Sequence, residues 1–205
     1  MAKTHTPTPQ SRGPSEHDIR DQIVEAATEY FGHYGYNKTT VSDLAKAIGF
    51  SKAYIYKFFE SKQAIGEVIC ANRLSEITAT VDAVTADTTS ASEKLRRMFR
   101  ALVDAGSHLF FHERKLYDIA AASASEAWPS VGHYEAHLKA LVLDIVRDGR
   151  EAGEFERKTP LDETANAIYL AMKPYINPLM LQYNLDNAAQ HSSQLSNLIL
   201  RSLAP

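Results

Sequence analysis

The chain has 205 residues, 44% of them hydrophobic, and a formal net charge of −3, enough to bury a core in a small unit and a larger one. Its single cysteine, Cys70, excludes an intrachain disulfide and is expected to be a small buried apolar side chain. No apolar run is long enough to span a bilayer and the start lacks a signal-peptide core, which predicts a cytoplasmic protein with no membrane partner.

Residues 1–15 are rich in Thr, Pro and Ser and carry Lys3 and Arg12 without an acid, so they are expected to be a disordered arm able to brush DNA phosphates. Ile19, Ile23, Ala26, Ala27, Tyr30 and Phe31 then recur at helical spacing, which predicts a helix from about Glu16 to the Gly32–Gly35 region. Val41, Leu44, Ala45 and Ile48 make the apolar face of a second helix, capped by Thr40 and stopped by Gly49. Ser51 caps a third short helix that ends before Ser61. In it Ile55 and Phe58 or Phe59 point inward, leaving Lys52, Ala53, Tyr54, Tyr56 and Lys57 on or near the outer side. Two helices around a glycine turn have the spacing of a helix-turn-helix, whose second helix enters the major groove. A compact helical pair inside an ordinary core would look similar. Local charge favours DNA: residues 37–62 hold five lysines against Asp43 and Glu60, whereas residues 63–205 hold 14 Lys and Arg against 18 Asp and Glu.

The remainder reads as helices throughout. Ser61 caps a long helix through Ile65, Val68, Ile69, Leu74 and Ile77, ending in the Thr-rich stretch 85–90. A helix over about 92–111 carries Leu95, Met98, Phe99, Leu102 and Val103. Another runs from His112 towards Ser123, and a longer one starts near Pro129 and stops near Gly153. Thr159, Pro160 and Asp162 predict a helix with a cap, a first-position proline and an early acid. Pro174 and Pro178 must kink or interrupt it. A last helix holds Leu195, Leu198, Ile199 and Leu203.

The run from Ile23 to Ile69 resembles the DNA-binding head of the TetR family of transcriptional regulators, most specifically at Thr39-Thr40, Ala45 to Gly49, Ser51-Lys52, Tyr56 to Phe59 and Ser61-Lys62. The run from Gly149 to Pro160 is a weaker second echo. The resemblance implies an all-α protein of about nine helices: a helix-turn-helix unit over residues 16–62 and a ligand-binding and dimerisation unit over residues 63–205. It further implies a homodimer acting, as a repressor, on a palindromic double-stranded operator until a small-molecule effector releases it. Carried over residue by residue, Thr40, Ser51, Tyr56 and Lys62 would hold phosphates while Lys52, Ala53, Tyr54 and Lys57 face base edges, an arrangement in which backbone contacts set register and side chains read sequence. Lys57 departs from the family pattern, where histidine or an aromatic residue is commoner. The final two helices would pair with their symmetry mates, although their apolar stripes suit intramolecular core equally well.

No cofactor is required by this reading. An effector pocket would draw on Met98, Leu102, Tyr117, Trp128, Tyr134, His137, Tyr169, Met172, Lys173 and Tyr175, since tyrosines give apolar walls with a hydrogen-bonding tip suited to a mixed, aromatic molecule. Aromatic residues at helical spacing are more often simply core. Asp104, His108 and His112 are spaced four apart, as are His133 and His137, so each set shares a helix face and the two could share a metal ion, which would make the protein a metal-responsive regulator on the same scaffold. Solvated histidines are the simpler alternative. An enzyme is not expected: the sequence holds no nucleophile with a matched base, no phosphate-cradling glycine loop and no paired-carboxylate motif.

Overall fold

The computed structural model describes residues 16–205; the arm expected over residues 1–15 lies outside them. In chain order the described residues form α1 (Glu16–Tyr34), α2 (Val41–Ile48), α3 (Lys52–Ile55), α4 (Lys62–Ala86), α5 (Ala91–His112), α6 (Arg114–Ser125), α7 (Pro129–Glu151), α8 (Leu161–Ile176), α9 (Pro178–Leu181), a 3-10 turn (Leu185–Asn187) and α10 (Ala188–Ser202). The architecture is all-α, as expected, and the described residues hold ten α-helices against an expectation of about nine. The extra one arises at the prolines. Pro174 stays inside α8, whereas Asn177 leaves helical geometry (φ −85°, ψ 125°) and its side chain accepts a hydrogen bond from the Leu179 N–H, capping α9 with Pro178 at its first position.

Local chemistry accounts for most other boundaries. Ser61 and Ser90 cap α4 and α5 by accepting from the Ala64 and Glu93 N–H groups. The Glu154 carboxylate completes the α5 start, accepting from the Ser90 hydroxyl at 3.0 Å and the Ala91 and Ser92 N–H groups at 2.9 and 3.1 Å. Thr159 is not the cap of α8, which starts after Pro160 without a side-chain cap. The Thr159 carbonyl instead accepts from Arg150 at 2.8 Å.

Two apolar clusters share α4. One joins α1, α2 and α3 to Ile65, Ile69 and Cys70 of α4, Ile119 of α6 and Trp128. The other packs Val81 of α4 against α5, α7, α8 and α10. The boundary expected between residues 62 and 63 therefore falls at the start of a continuous 25-residue helix that serves both cores. Each fully buried side chain of the first cluster, such as Leu44, Ile55 or Phe31, stabilises it by about 1.5–3 kcal/mol.

Candidate nucleic-acid interface and its helical body

α2 is fixed at both ends by residues within hydrogen-bond reach. The Thr40 hydroxyl accepts from the Asp43 N–H at 3.2 Å and the Asp43 carboxylate accepts from the Thr40 N–H at 2.9 Å, closing a capping box. The Thr40 hydroxyl also donates to Asp43 at 2.6 Å. These bonds, the hydroxyl foremost, hold the Asp43 carboxyl below its ordinary pKa. At the other end Gly49 takes φ +79°, and the Phe50 N–H reaches back to the Ala45 carbonyl at 2.9 Å. The turn thus delivers Ser51, whose Oγ accepts from the Tyr54 N–H at 3.1 Å and starts α3.

The third helix is shorter than the sequence suggests: it ends at Ile55 and continues as turns to Phe58. Ile55 and Phe59 are buried, and Phe50, Tyr54 and Phe58 stack edge-to-face with centroids 5.0 and 5.3 Å apart. Lys52, Ala53, Tyr56 and Lys57 stand outside and Tyr54 is half-buried. The ammonium of Lys52 lies 5.7 Å from the Tyr56 centroid and that of Lys57 lies 5.5 Å from the Tyr54 centroid, so ring and charge are offered together. Arg20 of α1, absent from the sequence expectations, braces this segment: its guanidinium donates to the Phe58 carbonyl and sits 4.4 Å above the Phe59 ring. No short-range pattern could have flagged a contact 38 residues away.

Lys62 does not join that outer face. Its ammonium donates to the Tyr36 carbonyl at 2.9 Å and lies 4.3 Å over the Tyr36 ring, and burial lowers its pKa. It ties α4 to the α1–α2 loop. The same corner holds the joint between the two cores. Trp128 meets Tyr36 edge-on at 5.9 Å, and a Cβ on Gly66 would come within 2.9 Å of Tyr36 and 3.0 Å of Trp128. Burial, then the nearby Glu126, pushes the Tyr36 phenol up to about 12. Glu67 of α4 in turn accepts from the Ser130 N–H and hydroxyl at 2.7 and 3.0 Å, fastening the start of α7.

Beneath this joint, α4 to α9 enclose a cavity of about 90 Å³. Its walls are mostly apolar, with Tyr117, Tyr134, Tyr169, Glu135 and Lys173 among them. The Tyr117 hydroxyl donates to the Pro178 carbonyl, and Glu135 lies 3.8 Å from Lys173. Burial raises the Tyr134 and Tyr169 phenols well above their ordinary pKa, so both remain neutral hydrogen-bonding groups.

Residues 23–68 match the family described as bacterial regulatory proteins, tetR family, and residues 91–194, half of the chain, match that described as tetracyclin repressor-like, C-terminal domain. The chain belongs to the TetR family. That family comprises DNA-binding transcriptional regulators rather than enzymes. Among relatives, the biofilm operon icaADBC HTH-type negative transcriptional regulator IcaR of Staphylococcus aureus is 39% identical over 49 residues, 24% of this chain and 26% of that one. The chain thus spans about a quarter of the length of that curated relative. Among solved structures, the TetR family transcriptional regulator PfmR of Thermus thermophilus is 26% identical with a TM-score of 0.58, over 91% of this chain and 97% of that one. The transcriptional regulator FadR of Bacillus subtilis, solved in complex with stearoyl-CoA, shares the fold at 16% identity and a TM-score of 0.66, over 89% and 98% of the two chains.

In this TetR-family chain five of the ten residues expected around an effector, Leu102, Tyr117, Tyr134, Tyr169 and Lys173, line the cavity. The others are elsewhere. Met98 and Met172 are buried in the body core, and Tyr175 packs on the Val103, Leu181 and Ala188 cluster. Trp128 serves the joint, and His137 bonds through Nε2 to Asp82 at 2.9 Å. Cys70, Gly106, Glu135 and Asn177 line the cavity without having been expected.

The metal cluster offered as the alternative reading is not assembled among the described residues. Among the described residues no three His, Cys, Asp or Glu side chains are grouped to hold an ion. Asp104 and His108 lie beside Thr80 and Val84 of α4, whereas His133 and His137 lie beside Ser75, Thr78 and Asp82 of the same helix. At about 100° per residue those two sets occupy opposite faces of α4, so the helix itself separates the histidine pairs. His108 and His112 stack on each other at 4.6 Å, and His112 Nδ1 faces the His108 carbonyl at 3.3 Å.

Proposed function

We propose that the chain is a ligand-responsive repressor that binds a palindromic operator as a homodimer in the cytoplasm. The observation that carries this reading is the outward set Ser51, Lys52, Ala53, Tyr56 and Lys57, on α3 and the turn that follows it, which the Gly49 turn and the Phe50–Tyr54–Phe58 ring stack present away from the core. Ser51 accepts from Tyr54 and keeps its own proton for a phosphate oxygen, while Tyr56 forms a second phosphate contact together with Lys52, which departs from its expected base-facing role because its ammonium lies against the Tyr56 ring. Ala53, Tyr54 and Lys57 face base edges. Thr40 and Lys62 act as positioning residues, because the hydroxyl proton of one goes to Asp43 and the ammonium of the other to Tyr36.

Dimerisation is supported by apolar side chains left open on the last long helices, Leu170 of α8 at 54% exposure and Leu198 of α10 at 57%. Repression accords with the name of the Staphylococcus aureus relative, a negative transcriptional regulator. The effector site is the inner cavity. Its present volume is small beside the ~300–1,000 Å³ of ligand pockets, so an effector must spread α4, α7 and α8, and α4 carries the displacement through Gly66 and the Trp128 joint to the DNA face. Fluorescence anisotropy on symmetric genomic fragments and scrambled duplexes tests the reading. A preference for one symmetric fragment, with affinity falling steeply as salt rises, is expected. Equal affinity for every duplex refutes it.

A further inference from the structure

Four hydroxyl-bearing side chains line the inner cavity: Tyr117, Ser123, Tyr134 and Tyr169. Three of them donate within the protein. Tyr117 donates to the Pro178 carbonyl, Ser123 to the Ala120 carbonyl at 2.9 Å and Tyr169 to the Glu135 carboxylate. Among the described residues the Tyr134 hydroxyl has no such bond. Burial keeps this phenol protonated, so a donor is left over at the wall. It is not sealed off: the buried side-chain atoms that lack both a partner and accessible surface are Arg150 Nε and Ser196 Oγ, neither of them in this wall. The charges of the wall are already matched, since Glu135 and Lys173 face each other at 3.8 Å. An ionised ligand would therefore lie among Leu74, Ile77, Leu102 and Leu109 without a counter-charge, a cost that a neutral molecule avoids.

We propose that the inner cavity takes a compact, neutral ketone whose carbonyl oxygen accepts a hydrogen bond from the Tyr134 hydroxyl while its hydrocarbon body lies among the leucines and Ile77. This rests on the reading of the cavity as the effector site and adds the chemistry of its occupant. The pairing satisfies the one wall hydroxyl that donates to no group among the described residues, and it asks for no change in the bonds of Tyr117, Ser123 or Tyr169. Tyr134 also borders an outer groove between α4 and α7, but that groove is lined by Ser75, Thr78, Asp82, His133 and His137, which offer an apolar body little to pack against.

Isothermal titration of the full chain, without DNA, with acetophenone, ethylbenzene and benzoate tests this. Saturable binding of acetophenone at one site per chain is expected, about tenfold or more tighter than benzoate. Tyr134→Phe is expected to weaken acetophenone about fivefold and to leave ethylbenzene unchanged, with the melting temperature unchanged or raised because the hydroxyl removed was unpaired. Leu109→Trp, which fills the inner cavity, is expected to abolish the binding, whereas His133→Ala, in the outer groove, leaves it unaltered. No saturable binding of acetophenone, benzoate binding as tightly, or binding indifferent to Tyr134→Phe overturns the proposal. Binding that His133→Ala weakens and Leu109→Trp spares also overturns it, by placing the ketone in the outer groove. Acetophenone that binds through Tyr134 without changing DNA affinity upholds the carbonyl site and removes its effector role. Benzoate that releases DNA while acetophenone fails to bind upholds the effector cavity and overturns the neutral ketone.

Discussion

The DNA-facing unit and the cavity-bearing body solve the same problem, placing polar groups on a helical scaffold, over very different sequence distances. At the DNA face the contacts that shape α2 and the start of α3 span three to five residues: Thr40 with Asp43, Phe50 with Ala45, Ser51 with Tyr54. In the body the decisive contacts join residues 61 to 63 positions apart, such as Ser130 with Glu67 and Tyr117 with Pro178. Local chemistry therefore dictates what the first surface presents, while tertiary packing dictates what the second encloses.

The sharpest way to break this comparison is to attack the place where the two regions meet. Trp128 is almost wholly buried in the core that contains α1, α2 and α3, yet it belongs to the start of α7. Trp128→Ala is expected to lower stability by about 3–5 kcal/mol in urea unfolding and to loosen both regions together. Two separated transitions in the unsubstituted protein would show that the regions fold independently and that the joint couples nothing.

DNA contacts come next. Lys57→Ala is expected to lose about 1–3 kcal/mol at the preferred operator and to relax selectivity at particular base pairs, whereas Tyr56→Ala weakens all duplexes alike. Lys62→Ala should behave differently from both, reducing thermal stability more than it flattens the salt dependence, because its ammonium is turned towards Tyr36. A salt slope reduced by Lys62→Ala as much as by Lys52→Ala would return Lys62 to the phosphate-binding set.

Gly49→Ala isolates the local half of the comparison. Forcing a Cβ into φ +79° is expected to destabilise by about 1 kcal/mol and to weaken DNA binding in parallel, since the added methyl meets no neighbour within 4 Å and only the backbone is strained. Parallel losses measured by calorimetry and anisotropy are the expected pattern.

These contrasts explain what could be read from the residues alone. Thr40, Gly49 and Ser51 announce their roles because capping and positive φ are properties of adjacent residues. α3 is shorter than the stretch before Ser61 allows, since Phe58 lies in a turn and Phe59 just beyond it, both held by Arg20 from another helix. Half of the expected effector residues missed the cavity for a similar reason: aromatic and methionine side chains at helical spacing satisfy a core and a pocket equally well, and Trp128, Met98 and Met172 went to core. The paired histidines share helix faces as their spacing requires, but spacing says nothing of which neighbours stand between two helices. Here α4 does.

The smallest expected effect tests whether a long-range cap behaves like a local one. Burial raises the Glu154 pKa, but the N–H groups of Ser92 and Ala91 and the Ser90 hydroxyl outweigh it, so the carboxyl titrates below its ordinary value of 4.5. A carboxylate whose folded pKa is depressed contributes stability that is complete above the ordinary value and disappears as pH falls through the folded one. Glu154→Gln is expected to lose about 0.5–1 kcal/mol at pH 7, by removing the charge from the start of α5 while keeping one accepting oxygen. Between about pH 5 and 3 the variant's stability should fall less steeply than that of the unsubstituted protein, and the two urea midpoints should converge. Parallel pH profiles would mean that the Ser90 cap alone holds α5, and that a carboxylate arriving from more than 60 residues away adds nothing to it.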